Sequence, residues 1–155
     1  MADSVAKLAA IADAADICEF RIPLVYVKAK TILTLNATNR MQFYQRMEIK
    51  NKYKKIIEPI IKDKVCRFNH GHQHFVMQLV FSDRRSRDMD NQIYTLKFLQ
   101  DLIVELGMLD DDKHISFTFL PPMSEPKNKE HYCDVTIIDL CESGFFKLNK
   151  EKNET

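Results

Sequence analysis

The 155-residue sequence is poor in net charge: 23 Lys and Arg stand against 22 Asp and Glu, for a formal charge of +1. A polycation that coats nucleic acid through its overall charge is excluded, and any grip on phosphate has to come from local clusters. CxxC pairs are missing too. The four cysteines, Cys18, Cys66, Cys133 and Cys141, are scattered. A chain of this size with a good core needs no disulfide staples, so they read as free thiols in a reducing cytosol. No apolar run approaches the length that spans a bilayer. The N-terminal stretch, with Asp3, Asp13 and Asp16, lacks the basic start and long apolar region of a signal peptide. The expectation is a soluble, cytoplasmic protein without a membrane partner. Internal repeats and low-complexity linkers are absent as well, which leaves one domain with short extensions.

What is present is enough to build a core: 45% of residues are hydrophobic, with ten Phe and five Tyr. Ser4 to Asp16 reads as a short helix, with Val5, Leu8, Ala9, Ala12 and Ala15 on one side at helical spacing. Glu19 to Lys30 alternates like a strand, and Pro23 favours an edge or a strand end. Thr34 to Arg40, TLNATNR, is polar and turn-like. Met41 to Lys64 reads as a long helix with a stripe of Phe43, Met47, Tyr53, Ile56, Ile57, Ile60 and Ile61, which Pro59 is placed to kink or shorten. From Arg40 to Arg67 nine basic residues face three acidic ones. Such an excess is either a solvated helix face or a surface that contacts phosphate.

Asn69 to Phe81 ends in a strand with Phe75, Met77, Leu79 and Phe81 on one face. Its histidines, His70, His72 and His74, share alternate positions. Zinc usually takes four ligands, and no Cys or His pair stands in support, so a polar loop running into a strand is the simpler reading. Ile115 to Leu120 and Tyr132 to Leu140 alternate as two further strands, and the long polar connection PPMSEPKNKEH suggests a hairpin between them. The fold class expected is α+β, a mixed β-sheet packed against helices. Residues 1–18 form a helical extension, 19–141 the domain, and 142–155 a fraying tail.

Chemistry concentrates in Ser82 to Asp112, SDRRSRDMDNQIYTLKFLQDLIVELGMLDDD. An amphipathic helix opens after Asp90 and carries Ile93, Leu96, Leu99, Leu102, Ile103 and Leu106 on one side, with Gly107 as its stop. Carboxylates bracket it: Asp88 and Asp90 in front, after Arg84, Arg85 and Arg87, and Asp110, Asp111 and Asp112 behind. Aspartate is a preferred N-cap, so Asp90 alone says little. Three acids after a helix C-terminus oppose its dipole, and an acidic turn has no local reason to sit there. Oxygen ligands of this kind suit a hard divalent cation held against phosphate.

The run DRRSRDMDN, the helix, and GMLDDDKHI resemble the RusA family of Holliday-junction resolvases, small dimeric endodeoxyribonucleases of bacteria and phages. The likeness is close over the helix and its flanks and looser over most of Leu33 to Asp139. It implies a RusA-like homodimer in a bacterial or phage-infected cell that nicks four-way DNA junctions with Mg2+, for which Mn2+ can substitute. Asp88 and Asp90 match the family's paired aspartates and Asp111 its third, with Asp110 at the adjacent acidic position; these four would hold metal. The family's usual lysine, four residues after the second aspartate, is Tyr94 here; Lys97, three residues on, is the candidate substitute beside the catalytic Asp88, Asp90 and Asp111. DNA contacts fall to Arg84, Arg85 and Arg87, extended by Arg40, Arg46, Lys50, Lys54 and Lys55. The alternative is a non-catalytic branched-DNA-binding protein on the same fold. A helix from Asn91 to Leu106 is about 24 Å long. One magnesium cannot touch both its ends directly, and a site shared across a two-fold dimer resolves the conflict.

Overall fold

The computed structural model describes residues 16–28, 31–63, 73–106 and 115–139. The expected N-terminal helix, all but its last residue, and the tail from 142 onward lie outside them. The elements are β1 (Asp16–Pro23), β2 (Tyr26–Lys28), β3 (Thr31–Ile32), α1 (Leu35–Asn39), α2 (Phe43–Asp63), β4 (Gln73–Phe81), α3 (Met89–Glu105), β5 (Ile115–Ser124) and β6 (Tyr132–Asp139). Four strands form one mixed sheet in the order β1-β6-β4-β5, and β2 and β3 form a small separate ribbon. The α+β class and the mixed sheet are as expected.

The core follows from the strand and helix periods. Along β4 every second residue is buried, and Phe75, Met77, Leu79 and Phe81 are essentially inaccessible. Against them pack Leu96, Leu99, Leu102 and Ile103 of α3, Ile49, Tyr53 and Ile57 of α2, and Cys133, Val135 and Ile137 of β6. Burying one such aliphatic or aromatic side chain is worth about 1.5–3 kcal/mol, so this one cluster dominates stability.

Several local expectations change. β1 runs from Asp16 and stops at Pro23, and it is an edge strand. Proline lacks the N–H a central ladder needs, so its place at the end of an edge is the permitted one. The polar TLNATNR segment is a short helix, because the Thr34 hydroxyl accepts the Ala37 N–H at 3.2 Å and caps it. α2 continues through Pro59 to Asp63. Its expected stripe holds from Tyr53 onward, with Tyr53 and Ile57 buried, Ile60 and Ile61 packed on the core and Ile49 joining them, while Phe43 and Met47 at its start are exposed. Asp88, rather than Asp90, occupies the N-cap of α3, and Asp90 lies in the first turn.

The hairpin between the last two strands does not form. β5 pairs in parallel with β4, from Gln73↔Ile115 to Phe81↔Ser124, and β6 lies on the other side of β4, antiparallel to it. A helix joining β4 to β5 is the connection a parallel pair requires, and α3 supplies it. Cys18 is disulfide-bonded, which corrects the reading of four free thiols. Cys133 is free and buried, and burial pushes its thiol far above the usual range.

Candidate functional site

The site grows from the C-terminal end of β4. There Phe81 leads into a seven-residue loop before α3, and the loop is held by residues distant in sequence. His131, just ahead of β6, is almost fully buried and stands edge-on to the rings of Phe81 and Tyr26. Its Nδ1 accepts the Ser82 backbone N–H at 2.9 Å, which places the ring proton on Nε2. Nε2 lies 4.0 Å from Asp83 Oδ2. Burial lowers the His131 pKa, opposed by the Asp83 charge, so the ring is neutral at pH 7.

Asp83 is the anchor. Its two oxygens accept both guanidinium branches of Arg87 at 2.6 and 2.7 Å, and Oδ1 also accepts the Arg85 backbone N–H. The Arg87 hydrogen bonds, above all, hold the Asp83 carboxyl down at about 2. The guanidinium carbon of Arg87 sits 3.6 Å over the Phe81 ring, a cation–π contact. Across the loop, the Ser124 hydroxyl donates to the Asp83 carbonyl and the Glu125 N–H to the Phe81 carbonyl, so the ends of β4 and β5 are pinned together.

Between them opens a cleft of about 290 Å³ lined by Phe81, Arg84, Arg85, Arg87, Pro122 and Met123, among others. Arg84 and Arg85 are exposed, and among the described residues no carboxylate pairs with their side chains. The three arginines therefore divide. Arg87 is a strut fastened to Asp83, and Arg84 and Arg85 are free to meet an anion.

Asp88 and Asp90 follow at once. Both are exposed, Asp88 makes no side-chain capping bond, and neither carboxylate has a hydrogen-bond or ion-pair partner among the described residues. The next residue, Asn91, accepts the Asn36 N–H through Oδ1 at 3.2 Å, and the Thr95 hydroxyl donates to the Leu33 carbonyl. These bonds press the LNATNR segment against the start of α3. Aspartates at a helix N-terminus suit its dipole, and both side chains are open to solvent.

The other expected site residues are dispersed. Asp110, Asp111 and Asp112 lie outside the described residues, and among the described residues no group of three His, Cys, Asp or Glu is placed to hold a metal. Ile115 pairs with Gln73, at the end of the sheet away from Phe81 and the cleft. Lys97 Nζ donates to Asp101 at 2.7 Å and to Gln100 at 2.8 Å, and lies over the Phe117 ring. It is therefore engaged down the helix, two turns from Asp90. Tyr94, at the family's lysine position, stacks on Phe98 and packs against the core.

Of the outlying cations, Arg40 and Arg46 are exposed, and the Arg46 guanidinium donates to the Met41 carbonyl at 3.3 Å. Lys50 and Lys54 both clasp Glu105, at 2.7 and 2.5 Å. Their hydrogen bonds lower the Glu105 carboxyl. Lys55 is exposed, and its side chain has no partner among the described residues. His74, the one described member of the histidine triplet, directs both ring nitrogens at hydroxyls of β5, Ser116 at 2.7 Å and Thr118 at 3.0 Å, so it serves the sheet.

Asp83 and His131 went unassigned in the sequence. The Asp83–Arg87 spacing of four was visible, but in a loop that spacing carries no meaning. His131 is 49 residues from Ser82, and no sequence signal joins them. Compared with known protein families and with curated proteins, the chain matches none. Among the described residues, no helix is long and apolar enough to cross a membrane.

Proposed function

We propose that the chain is a magnesium-dependent endodeoxyribonuclease of the RusA type, acting as a homodimer on four-way DNA junctions. The observation that carries the reading is the pair Asp88 and Asp90 at the head of α3, without partners among the described residues, beside a cleft lined by Arg84 and Arg85, which pair with no described carboxylate. Exposed carboxylate oxygens with no internal partner are the donor chemistry that Mg2+ accepts, and Asp88 and Asp90 would hold it, joined by Asp110 and Asp111. A bound magnesium supplies charge neutralisation at the scissile phosphate and a hydroxide at neutral pH. The chain's own residues do the rest: Arg84 and Arg85 position the phosphate, and the Asp83–Arg87–Phe81 stack holds the loop that presents them. Asp111 serves as a further ligand or orients the attacking water.

The location of Ile115 at the far end of the sheet supports the composite arrangement, in which the front of one subunit's helix joins the rear acids of the other's. Mixing Asp90→Asn subunits with Asp111→Asn subunits tests it: heterodimers regain one nicking centre, and failure to regain any refutes sharing. The second reading, a branched-DNA binder without efficient chemistry, draws on Tyr94 packed into the core and on Lys97 tied to Asp101. A synthetic four-way junction with Mg2+ separates the two. Paired nicks that vanish in Asp90→Asn support the nuclease, and tight binding without nicks supports the binder.

A further inference from the structure

The cleft at the ends of β4 and β5 has two kinds of wall, and phosphate contact occupies only one of them. Arg84 and Arg85 bring charge, and among the described residues no carboxylate lines the cleft. Pro122 and Met123 of β5 bring apolar side chains, and Met123 is 42% exposed. A phosphate backbone needs cations on an open surface and has no use for a concavity with an apolar side. The volume, about 290 Å³, lies at the lower end of the range of small-molecule clefts, so it suits one nucleotide-sized group and not a duplex.

The apolar wall has a structural cause. β5 pairs Leu120 with Gln78 and Met123 with Val80, so two residues, Pro121 and Pro122, oppose the single Leu79 of β4. That is a bulge. Proline cannot donate to a ladder, so the pairing breaks there, and the Gln78 side-chain amide fastens the bulge by donating to the Pro121 carbonyl at 2.9 Å. Bulges bend a strand and re-aim its side chains, and they are over-represented beside active sites. Here the bulge delivers Met123 to the cleft, one residue before Ser124, whose hydroxyl donates to the Asp83 carbonyl. Cationic loop and apolar wall are thus held in one fixed relation.

We propose that the cleft takes a single unpaired nucleotide of a DNA strand, its phosphate on Arg84 and Arg85 and its base against Pro122 and Met123. This rests on the DNA reading of the site and applies to a nuclease and to a non-catalytic binder alike. A base stacked and paired inside a duplex cannot reach such a wall, whereas a base at a branch point, where pairing is interrupted, can. The arginines contribute twice, since a guanidinium plane also stacks on a base. Phosphate contact alone carries no preference between paired and unpaired strands, and the apolar wall supplies one.

Fluorescence anisotropy with the full-length chain, without metal, tests the base site. The probes are a labelled single-stranded oligothymidylate and a strand of equal length that is abasic at every position, so that phosphate number is the same. The thymidine strand is expected to bind tighter by about fivefold or more, the scale of one stacked base. Met123→Ala removes most of that difference and leaves the salt slope unchanged, while Met123→Leu, of similar volume, retains it. Arg84→Ala weakens both strands alike. Free thymidine monophosphate, which lacks the flanking chain, competes only far above the concentration of the strand. Equal binding of the two strands overturns the base site, as does a folded Met123→Ala that keeps the full difference, and effective competition by free thymidine monophosphate assigns the cleft to a free nucleotide instead. If both strands bind equally and with steep salt dependence, the phosphate surface stands without the base site. If neither binds, the DNA reading falls as well.

Discussion

At the scale of single residues, the loop before α3 depends on one carboxylate. Asp83 receives a bidentate guanidinium and a backbone N–H, and its carboxyl sits at about 2 against an ordinary value near 3.8. A depressed carboxylate stabilises the folded state fully above its unfolded pKa and loses that contribution as pH falls through the folded value. Asp83→Asn is therefore expected to cost about 1–2 kcal/mol near neutrality, the scale of a charge-assisted, partly shielded hydrogen-bonded pair. The difference from wild type should be flat above about pH 5 and shrink between about pH 4 and 2. Urea unfolding of both proteins across that range measures it, and a pH-independent difference would show that the pair is not the cause. Arg87 thereby changes role. The sequence pattern assigned it to DNA with Arg84 and Arg85, yet a guanidinium clasped by Asp83 and laid on Phe81 has little left to offer a phosphate.

At the scale of elements, α3 carries two functions on two surfaces. Its buried stripe of Leu96, Leu99, Leu102 and Ile103 was readable from spacing alone, since those positions recur at the helical period. Truncating Leu99, fully inaccessible, removes methyl groups and leaves a cavity, for an expected loss of about 2–5 kcal/mol. Chemical denaturation of Leu99→Ala checks this, and a loss below about 1 kcal/mol would mean that the helix packs less tightly than the structure shows. The head of the same helix was legible in part. The pair Asp88 and Asp90 was visible, but which of them caps the helix was decided by one residue of register, a boundary that local signals do not resolve. Lys97 shares a side of the helix with Asp90, yet Asp101 lies one turn closer and takes its charge.

At the scale of the whole molecule, a net charge of +1 means that the proposed DNA binding has to depend on the few cations without carboxylate partners among the described residues. Binding to a four-way junction is expected to fall steeply with salt. Arg84→Ala or Arg85→Ala should each reduce the slope of log K against log[salt] by about 0.9. Lys50→Ala should change it less, because Lys50 is already committed to Glu105. Filter binding at several salt concentrations separates these outcomes, and a flat salt response in the wild-type chain would contradict a phosphate-contacting surface.

What the sequence determined by itself were the patterns with a local cause: the period-two burial of β4, the apolar stripe of α3, the α+β class, and the placing of arginines and aspartates on either side of the helix start. Tertiary structure decided the rest. The order of strands could not be read from alternation, because a strand's period records which face is buried and not which neighbour it pairs with. Thus β5 and β6, consecutive and alternating, sit on opposite sides of β4. The same topology decided which charges are free: Asp83 and Glu105 neutralise Arg87, Lys50 and Lys54 through contacts that only the folded chain creates, and Arg84, Arg85, Asp88 and Asp90 are among the charges left open to solvent.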